Sequence, residues 1–226
     1  GVKGPRYQWI TSFLSKRHMR VVADGEHSDS VPVESGVPQG TVLGPALFLC
    51  HINDLLDCVR SQVRLFADDC LLYRPIKSQK DHDILQRDLG ELEKWAKCWG
   101  MRFNAKKCYV MSTRPKSSHM YTLDNQILKQ VHQNPYLGTL LSDDMKWSPH
   151  ISSISSKASS MLGFLKRNLK SCSTSCKRMA YISLVRSQVE YGSCVWDPYF
   201  SKDIDKRESV QRKAARFIVN DYKSRN

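Results

Sequence analysis

The segment Phe66-Ala67-Asp68-Asp69 constrains the fold of this chain more than any other. The runs Val63 to Ala67 and Cys70 to Tyr73, on either side of the two aspartates, are short and apolar. Two such runs joined by a two-residue polar connection predict an antiparallel hairpin with Asp68-Asp69 as its turn. Because turns favour Asp in any case, a solvated acidic turn is one interpretation. The other is that both carboxylates face a cleft and hold a divalent cation such as Mg²⁺.

The spacing of apolar residues predicts the rest of the architecture. Helices are predicted over residues 5–17, 44–56, 83–99, 151–169, 179–189 and 204–219. Strands and turns are predicted over 101–111 and 121–141, and Asp24-Gly25 predicts a further hairpin turn. We therefore expect an α+β fold with two parts, residues 1–145 around the acidic hairpin and a helical part over residues 146–226.

Basic residues are concentrated in the last third of the chain. Residues 149–226 contain 15 Lys+Arg and 6 Asp+Glu, a net charge of +9 out of +13 for the whole chain. A basic region of this size suits a partner rich in phosphates, because each Lys or Arg near a phosphate releases a counterion. A well-solvated basic surface and binding to an anionic membrane surface are the alternatives.

The cysteines and the apolar runs bear on the compartment. None of the eight cysteines is paired in a C-x-x-C motif, which argues against a structural zinc site. Several lie in apolar runs, where buried free thiols are the default. No run approaches the ~20 apolar residues that span a bilayer. We expect an intracellular protein of the nucleus, the cytoplasm or both, and no sequence feature points to an obligate protein partner.

Four further motifs surround the acidic hairpin in a fixed order. Ser35 to Pro45 reads SGVPQGTVLGP, and Ile52 to Leu55 reads INDL. After the hairpin come NAKKC at residues 104–108 and YLG at residues 136–138, which Trp147 and His150 follow. In this order and spacing they resemble successive motifs of the reverse transcriptases of non-LTR retrotransposons, the jockey-like LINE group. The resemblance covers nearly the whole chain.

The resemblance implies a fold, an activity and ligands. The fold is a partial polymerase palm, an antiparallel sheet with helices, in residues 1–145, followed by a helical thumb in residues 146–226. The activity is RNA-directed DNA synthesis by nucleotidyl transfer at two metal ions, with Mg²⁺ as cofactor and Mn²⁺ as the alternative. The implied partners are an RNA template, a DNA primer or target, and dNTPs, with no membrane.

It also implies roles for individual residues. Asp68 and Asp69 are the catalytic, metal-binding carboxylates, and Asp68 is the stronger candidate because adjacent side chains alternate in direction. Lys107 lies near the leaving pyrophosphate, with Lys106 as its competitor. The implied nucleotide or template contacts are Pro38, Gln39, Gly40, Phe66 and Ala67. The implied primer grip is Tyr136, Leu137 and Gly138. The implied contacts to the nucleic-acid backbone are Lys166, Arg167 and Lys170, spaced along one helix. For Phe66, the residue type favours packing within the hairpin over contact with the substrate.

A third catalytic carboxylate is not found where the resemblance places it. In this family, an apolar palm strand that carries an Asp precedes the motif at Ser35. The only aspartates before Ser35 are Asp24, in a turn motif, and Asp29, in a polar stretch. We therefore expect the chain to start after that strand and to be inactive alone. The competing hypothesis is a non-catalytic, nucleic-acid-binding remnant of a retroelement.

Overall fold

The computed structural model describes residues 2–113 and 119–222. The chain divides into two compact units, Gly1–Phe103 and Asn104–Asn226. Helices and short, mostly antiparallel two-stranded sheets make up both units, which confirms the α+β class. The predicted functional boundary between palm and thumb at residue 145 remains a prediction.

The first unit alternates helices with hairpins. Its elements are α1 (Pro5–Leu14), β1 (Arg17–Met19), β2 (Val22–Ala23), β3 (Glu26–His27), β4 (Val31–Val33), α2 (Leu43–Ile52), a 3₁₀ helix (Asn53–Cys58), β5 (Gln62–Phe66), β6 (Asp69–Tyr73) and α3 (Gln79–Cys98). The β2–β3 hairpin forms at Asp24-Gly25 as predicted, because both residues adopt the positive φ that a type I′ turn requires. It is nested inside the antiparallel pair β1–β4.

The core of the first unit lies between α3, the end of α2 and the β5–β6 hairpin. Helix α3 begins four residues before its predicted start, because Ser78 and Asp81 form a capping box. One stripe of α3 is buried and packs against Ile52, Leu55 and Val63. Removal of this apolar surface from water holds the hairpin on the helices.

The second unit is mainly helical after residue 147. Its elements are a 3₁₀ helix (Ala105–Lys107), β7 (Tyr109–Val110), β8 (Thr122–Leu123), β9 (Gln126–Ile127), β10 (Lys129–Gln130), β11 (Gln133–Tyr136), β12 (Thr139–Ser142), α4 (Ser148–Asn168), α5 (Thr174–Tyr181), a π-helical segment (Ile182–Arg186), α6 (Ser187–Glu190) and α7 (Ser201–Val219). The predicted helices after residue 147 are thus present, and that over 179–189 is part of a continuous helical run from Thr174 to Glu190. Among the described helices, none is both long and apolar enough to cross a membrane.

The core of the second unit is built on α4. Ala158, Leu162 and Leu165 from this helix pack with residues of the π segment, α6 and α7, among them the fully buried Phe217. A smaller apolar cluster joins the start of α4 to Trp196, which is completely buried. Helix α4 therefore holds the second unit together.

Candidate active site and nucleic-acid interface

The acidic hairpin forms, but its turn lies one residue earlier than predicted. In the β5–β6 ladder, Phe66 pairs with Asp69 and Leu65 with Cys70, so the turn is Ala67-Asp68. Asp69 is the first residue of β6, not part of the turn. Ala67 adopts a φ of +49°, as the first central residue of a type II′ turn must, although Gly is the usual residue there.

The two faces of this hairpin have different environments. On one face, Val63, Leu65, Cys70 and Leu72 pack against the core of the first unit. The opposite face carries Phe66, which is 61% exposed, so the prediction that it packs within the hairpin is wrong. Alternation along a strand explains the error, because a residue one position from Leu65, which packs against the core, must point away from the core.

On the outward face, polar side-chain contacts join the two strands away from the turn. The Tyr73 hydroxyl donates a hydrogen bond to Gln62 Oε1 over 2.6 Å. The Arg64 guanidinium lies 5.7 Å from the centre of the Tyr73 ring. These contacts join the two strands away from the turn and leave the tip at Asp68 open.

Asp68 and Asp69 are both exposed at the tip of the hairpin. Carboxylate oxygens are the ligands that Mg²⁺ prefers, and this ion takes few protein ligands when substrate phosphates supply the others. The pair therefore fits a divalent cation in its chemistry. Within residues 2–113 and 119–222, no cluster of three or more His, Cys, Asp or Glu side chains could hold a metal ion. Of the aspartates before Ser35, Asp24 lies in a turn and Asp29 in a loop, and both are exposed.

A buried carboxylate that the sequence analysis overlooked fixes the start of β5. Asp88 of α3 is 2% exposed and accepts hydrogen bonds from the backbone N–H groups of Arg60, over 3.2 Å, and Ser61, over 2.7 Å. A second carboxylate, Asp54, accepts a hydrogen bond from Trp95 Nε1 over 2.9 Å. Asp88 could have been recognised, because it interrupts the apolar stripe of α3 at helical spacing.

The loop before α2 is shaped by close backbone contacts. The Thr41 hydroxyl donates to the Pro38 carbonyl over 2.8 Å and accepts from the backbone N–H of Gly44 over 3.1 Å. A Cβ on Gly44 would lie 2.8 Å from that same carbonyl oxygen, so only glycine fits there. Gln39 and Gly40 are exposed on the outside of this loop, where a ligand can reach them. Their predicted contact with nucleotide or template remains a prediction.

The predicted catalytic lysine belongs to the second unit. Lys107 ends the 3₁₀ helix Ala105–Lys107, and the Asn104 side chain caps this turn by accepting from the Lys106 backbone N–H over 3.2 Å. Lys106 and Lys107 are both exposed. The two lysines are thus alike in exposure, and the choice of Lys107 over Lys106 stays a prediction.

The predicted primer-grip residues form a second tight hairpin. Tyr136 ends β11 and pairs with Thr139 at the start of β12. Leu137 and Gly138, with φ values of +48° and +79°, form the two-residue turn between them. Such a pair of positive φ values is typical of a type I′ turn, which keeps the twist of both strands.

Two residues from the helical part hold this turn in place. His150 of α4 is 2% exposed, and its Nδ1 accepts the backbone N–H of Leu140 over 3.1 Å. Burial, with a contribution from Lys157, lowers the pKa of His150, which keeps the ring neutral and able to accept. The Tyr191 hydroxyl donates to the Leu137 carbonyl over 3.3 Å. Sequence analysis had noted His150 only as a residue after the hairpin, and had not noted Tyr191.

The three predicted backbone-contacting cations are not equivalent. Lys166 and Arg167 lie in the last turn of α4, but Lys170 lies beyond its end, so the prediction of one helix for all three is wrong. Lys166 is half-buried, with Nζ 5.6 Å from the centre of the Tyr222 ring. Arg167 and Lys170 are exposed. Lys170 lies between α4 and α5, outside both helices, so spacing along one helix does not describe it.

Comparison with models of protein families identifies the family of this chain. The model of a family described as reverse transcriptase (RNA-dependent DNA polymerase) matches residues 2–141, more than half of the chain. The chain belongs to this family. The match includes the acidic hairpin, the loop at Pro38 to Gly40 and the turn Leu137-Gly138.

Individual relatives point to one group of reverse transcriptases. The RNA-directed DNA polymerase from mobile element jockey of Drosophila melanogaster is 29% identical over 94% of this chain and 25% of its own length. Probable RNA-directed DNA polymerases from transposon BS and from transposon X-element, in the same organism, are 27% and 26% identical over 96% and 95% of this chain. The resemblance to jockey-like non-LTR retrotransposon reverse transcriptases is thereby confirmed.

This reverse-transcriptase region is short compared with those proteins. The chain spans about a quarter of the length of the curated relatives that it matches. Its motifs at Ser35 to Pro45 and at the acidic hairpin lie in the first unit, and those at residues 104–108 and 136–138 lie in the second.

Proposed function

We propose that the chain supplies part of the palm and the thumb of a polymerase that copies RNA into DNA. The observation that carries this proposal is the turn Ala67-Asp68 with Asp69 beside it. Two exposed carboxylates stand at the tip of a hairpin whose other face is fixed in the core. The primer 3′ end could approach closely there, because Ala67 has a small side chain.

Each part of the site has a role in this proposal. Asp68 and Asp69 bind Mg²⁺, or Mn²⁺ in its place, and the bound ions would activate the primer 3′-hydroxyl and stabilise the leaving pyrophosphate. Gln39 and Gly40 contact the incoming dNTP or the template. Lys107 offers a positive charge to the pyrophosphate, and Leu137-Gly138 supports the primer strand. Arg167 and Lys170 are proposed contacts to phosphates, independent of sequence.

The chain alone is proposed to bind a primer–template without extending it. A pair of metal ions needs a bridging carboxylate in addition to Asp68 and Asp69, and the described residues contain no cluster of three metal ligands. Loss of one preorganised electrostatic group commonly costs about 10²–10³ in rate. This proposal also covers the alternative of a non-catalytic remnant, which predicts the same binding and the same lack of extension.

A primer-extension assay tests whether the chain alone binds a primer–template and whether it extends the primer. The purified chain is incubated with an RNA template, a labelled DNA primer, dNTPs and Mg²⁺, with Asp68→Asn as the matched control. We expect binding by both proteins and extension by neither. Metal-dependent extension by the chain, lost in Asp68→Asn, would show that two carboxylates are sufficient and would contradict the proposed inactivity.

A chimera distinguishes the hypothesis of a working polymerase segment from that of a non-catalytic remnant. The jockey polymerase, with its matching segment replaced by this chain, should extend the primer if the chain is a working segment. The same chimera with Asp68→Asn should retain binding and lose about 10²-fold or more in rate. A folded chimera that binds the primer–template but does not extend it would favour the remnant.

The proposed location is inside the cell, in the nucleus or the cytoplasm. The eight cysteines all lie in the described part of the chain and form no disulfide there, in keeping with a reducing compartment.

A further inference from the structure

Tyr191 combines an exposed ring with a fixed backbone. The side chain is 60% exposed although it follows a helix that belongs to the core of the second unit. Its backbone carbonyl accepts a hydrogen bond from Nε1 of Trp196 over 2.9 Å, and Trp196 is completely buried. Its backbone N–H donates to the Ser187 carbonyl over 3.1 Å. An aromatic ring held in this way loses little conformational entropy when a ligand stacks on it.

The ring lies directly against the primer-grip turn. A Cβ on Gly138 would lie 2.6 Å from Tyr191 Cε1, so any larger residue there would require the ring to move. The Tyr191 hydroxyl also donates to the carbonyl of Leu137, the other residue of the turn. The absence of a side chain at Gly138 therefore lets the turn and the ring form one continuous surface.

A cavity of about 360 Å³ opens beside this surface. It is lined by Gly138 and Tyr191 and, on the α4 side, by His150 and Lys157. The Lys157 side chain is exposed, whereas the pKa of His150 is lowered by burial and by Lys157, so His150 stays neutral near pH 7. Lys157 is thus the cation among these four residues, and it lines the same cavity as Tyr191.

An aromatic ring and a cation on one small cavity match the chemistry of a nucleotide in a strand. Bases stack on aromatic rings whatever their identity, and Lys binds the phosphate. The volume is at the lower end of the range of ligand pockets, about 300–1,000 Å³, and suits a single nucleotide unit, not a duplex. The net charge of +9 over residues 149–226 favours a polyanion as the occupant.

We infer that the cavity between Tyr191 and Lys157 binds one nucleotide of the nucleic-acid strand that passes the Leu137-Gly138 turn. The sugar or base rests on the Tyr191 ring and the adjacent phosphate contacts Lys157. The inference rests on the proposed function in one respect, the binding of nucleic acid by this chain, and it adds a contact residue outside the motifs.

Photo-crosslinking of the full chain locates this contact. Two RNA–DNA primer–templates are prepared, one with 5-iodouracil in the DNA strand and one with it in the RNA strand. We expect a crosslink at Tyr191, identified by mass spectrometry, and the strand that gives it identifies the bound strand. Crosslinks confined to other residues would overturn the inference.

Binding measurements distinguish direct contact from a structural role. We expect Tyr191→Leu to weaken binding about 5- to 150-fold, the range for loss of one stacked base. Tyr191→Phe keeps the ring and loses only a long hydrogen bond, so it should stay within about threefold of the unchanged chain. Tyr199→Leu removes another exposed tyrosine of the same unit and serves as the matched control.

The salt dependence of nucleic-acid binding distinguishes the phosphate contact of Lys157 from the stacking contact of Tyr191. Lys157→Gln should reduce the slope of log K against log[salt] by about 0.7–0.9, the value for one phosphate contact. Tyr191→Leu should leave that slope unchanged, because stacking releases no counterion. Equal affinities for Tyr191→Leu and Tyr199→Leu would overturn the inference and leave the proposed function intact. A chain that binds no nucleic acid would overturn both.

Discussion

Replacement of Asp88 should destabilise the first unit through the start of β5. The carboxylate is 2% exposed and accepts two backbone N–H groups, that of Ser61 over 2.7 Å and that of Arg60 over 3.2 Å. Ser61 is itself buried, so in Asp88→Ala its N–H loses its partner and cannot reach water readily. Arg60 is exposed, and water can replace the acceptor for its N–H.

The size of the destabilisation follows from the difference between the buried N–H of Ser61 and the exposed N–H of Arg60. A hydrogen bond to a charged group contributes about 1.5–3 kcal/mol, and a buried unsatisfied N–H costs about 1–3 kcal/mol. We therefore expect Asp88→Ala to reduce the free energy of unfolding of the first unit by about 3 kcal/mol. Asp88→Asn keeps one acceptor oxygen for Ser61 and should cost about half as much, since a neutral acceptor bonds more weakly.

Urea unfolding and hydrogen exchange provide the measurement. Unfolding gives the free-energy difference, and exchange at the amides of residues 60–66 reports the loss of local protection. Asp83→Ala, at an exposed position of the same helix, is the control and should change stability by less than about 0.5 kcal/mol. If Asp88→Ala cost no more than Asp83→Ala, the carboxylate would not hold β5.

Three further predictions concern a turn and two titrating groups. Ala67→Gly should raise the unfolding free energy by about 1 kcal/mol, measured by urea unfolding, because Ala67 has a φ of +49°. Unchanged stability would mean that the turn is unstrained. Hydrogen bonds from the Lys77 backbone and from Ser78 and Arg74 lower the pKa of Asp81 to about 2. Its stabilisation is therefore present above the unfolded pKa of about 3.9 and is lost as the pH falls towards 2. Acid titration of Asp81→Asn should lack this loss, and an identical titration curve would contradict the assignment. Burial lowers the pKa of His150, so the second unit should lose stability as the pH falls below about 6.5, where only the unfolded state takes up the proton. His150→Gln should flatten this dependence in urea unfolding between pH 7 and pH 5, and a slope as steep as that of the unchanged chain would refute it.

The pairing register of the β5–β6 hairpin could not be predicted from the sequence. The apolar runs on both sides of Asp68 predicted a hairpin, but not its pairing. In the predicted register Val63 would face Arg74, a cation on the core face. In the observed register Val63 faces Leu72, and Arg74 is displaced into an ion pair with Asp81 over 3.1 Å. The buried face therefore selects the turn Ala67-Asp68.

The sequence by itself determined the features that depend on neighbours along the chain. Apolar spacing predicted the helices, Asp24-Gly25 predicted its turn, and the order of the motifs indicated the reverse transcriptase family. These signals are local, because periodicity and turn chemistry act over a few residues. The two acidic side chains at the hairpin could be named for the same reason.

Only the tertiary structure decided which side chains meet across long separations. The hydrogen bond from the backbone N–H of Ser61 to Asp88 joins residues 27 positions apart, and the contact of Tyr191 with Gly138 joins residues 53 positions apart. The exposure of Phe66 depends on which face of the hairpin packs on α3. Such contacts form because burial of apolar surface brings distant elements together and then requires partners for the polar groups enclosed between them.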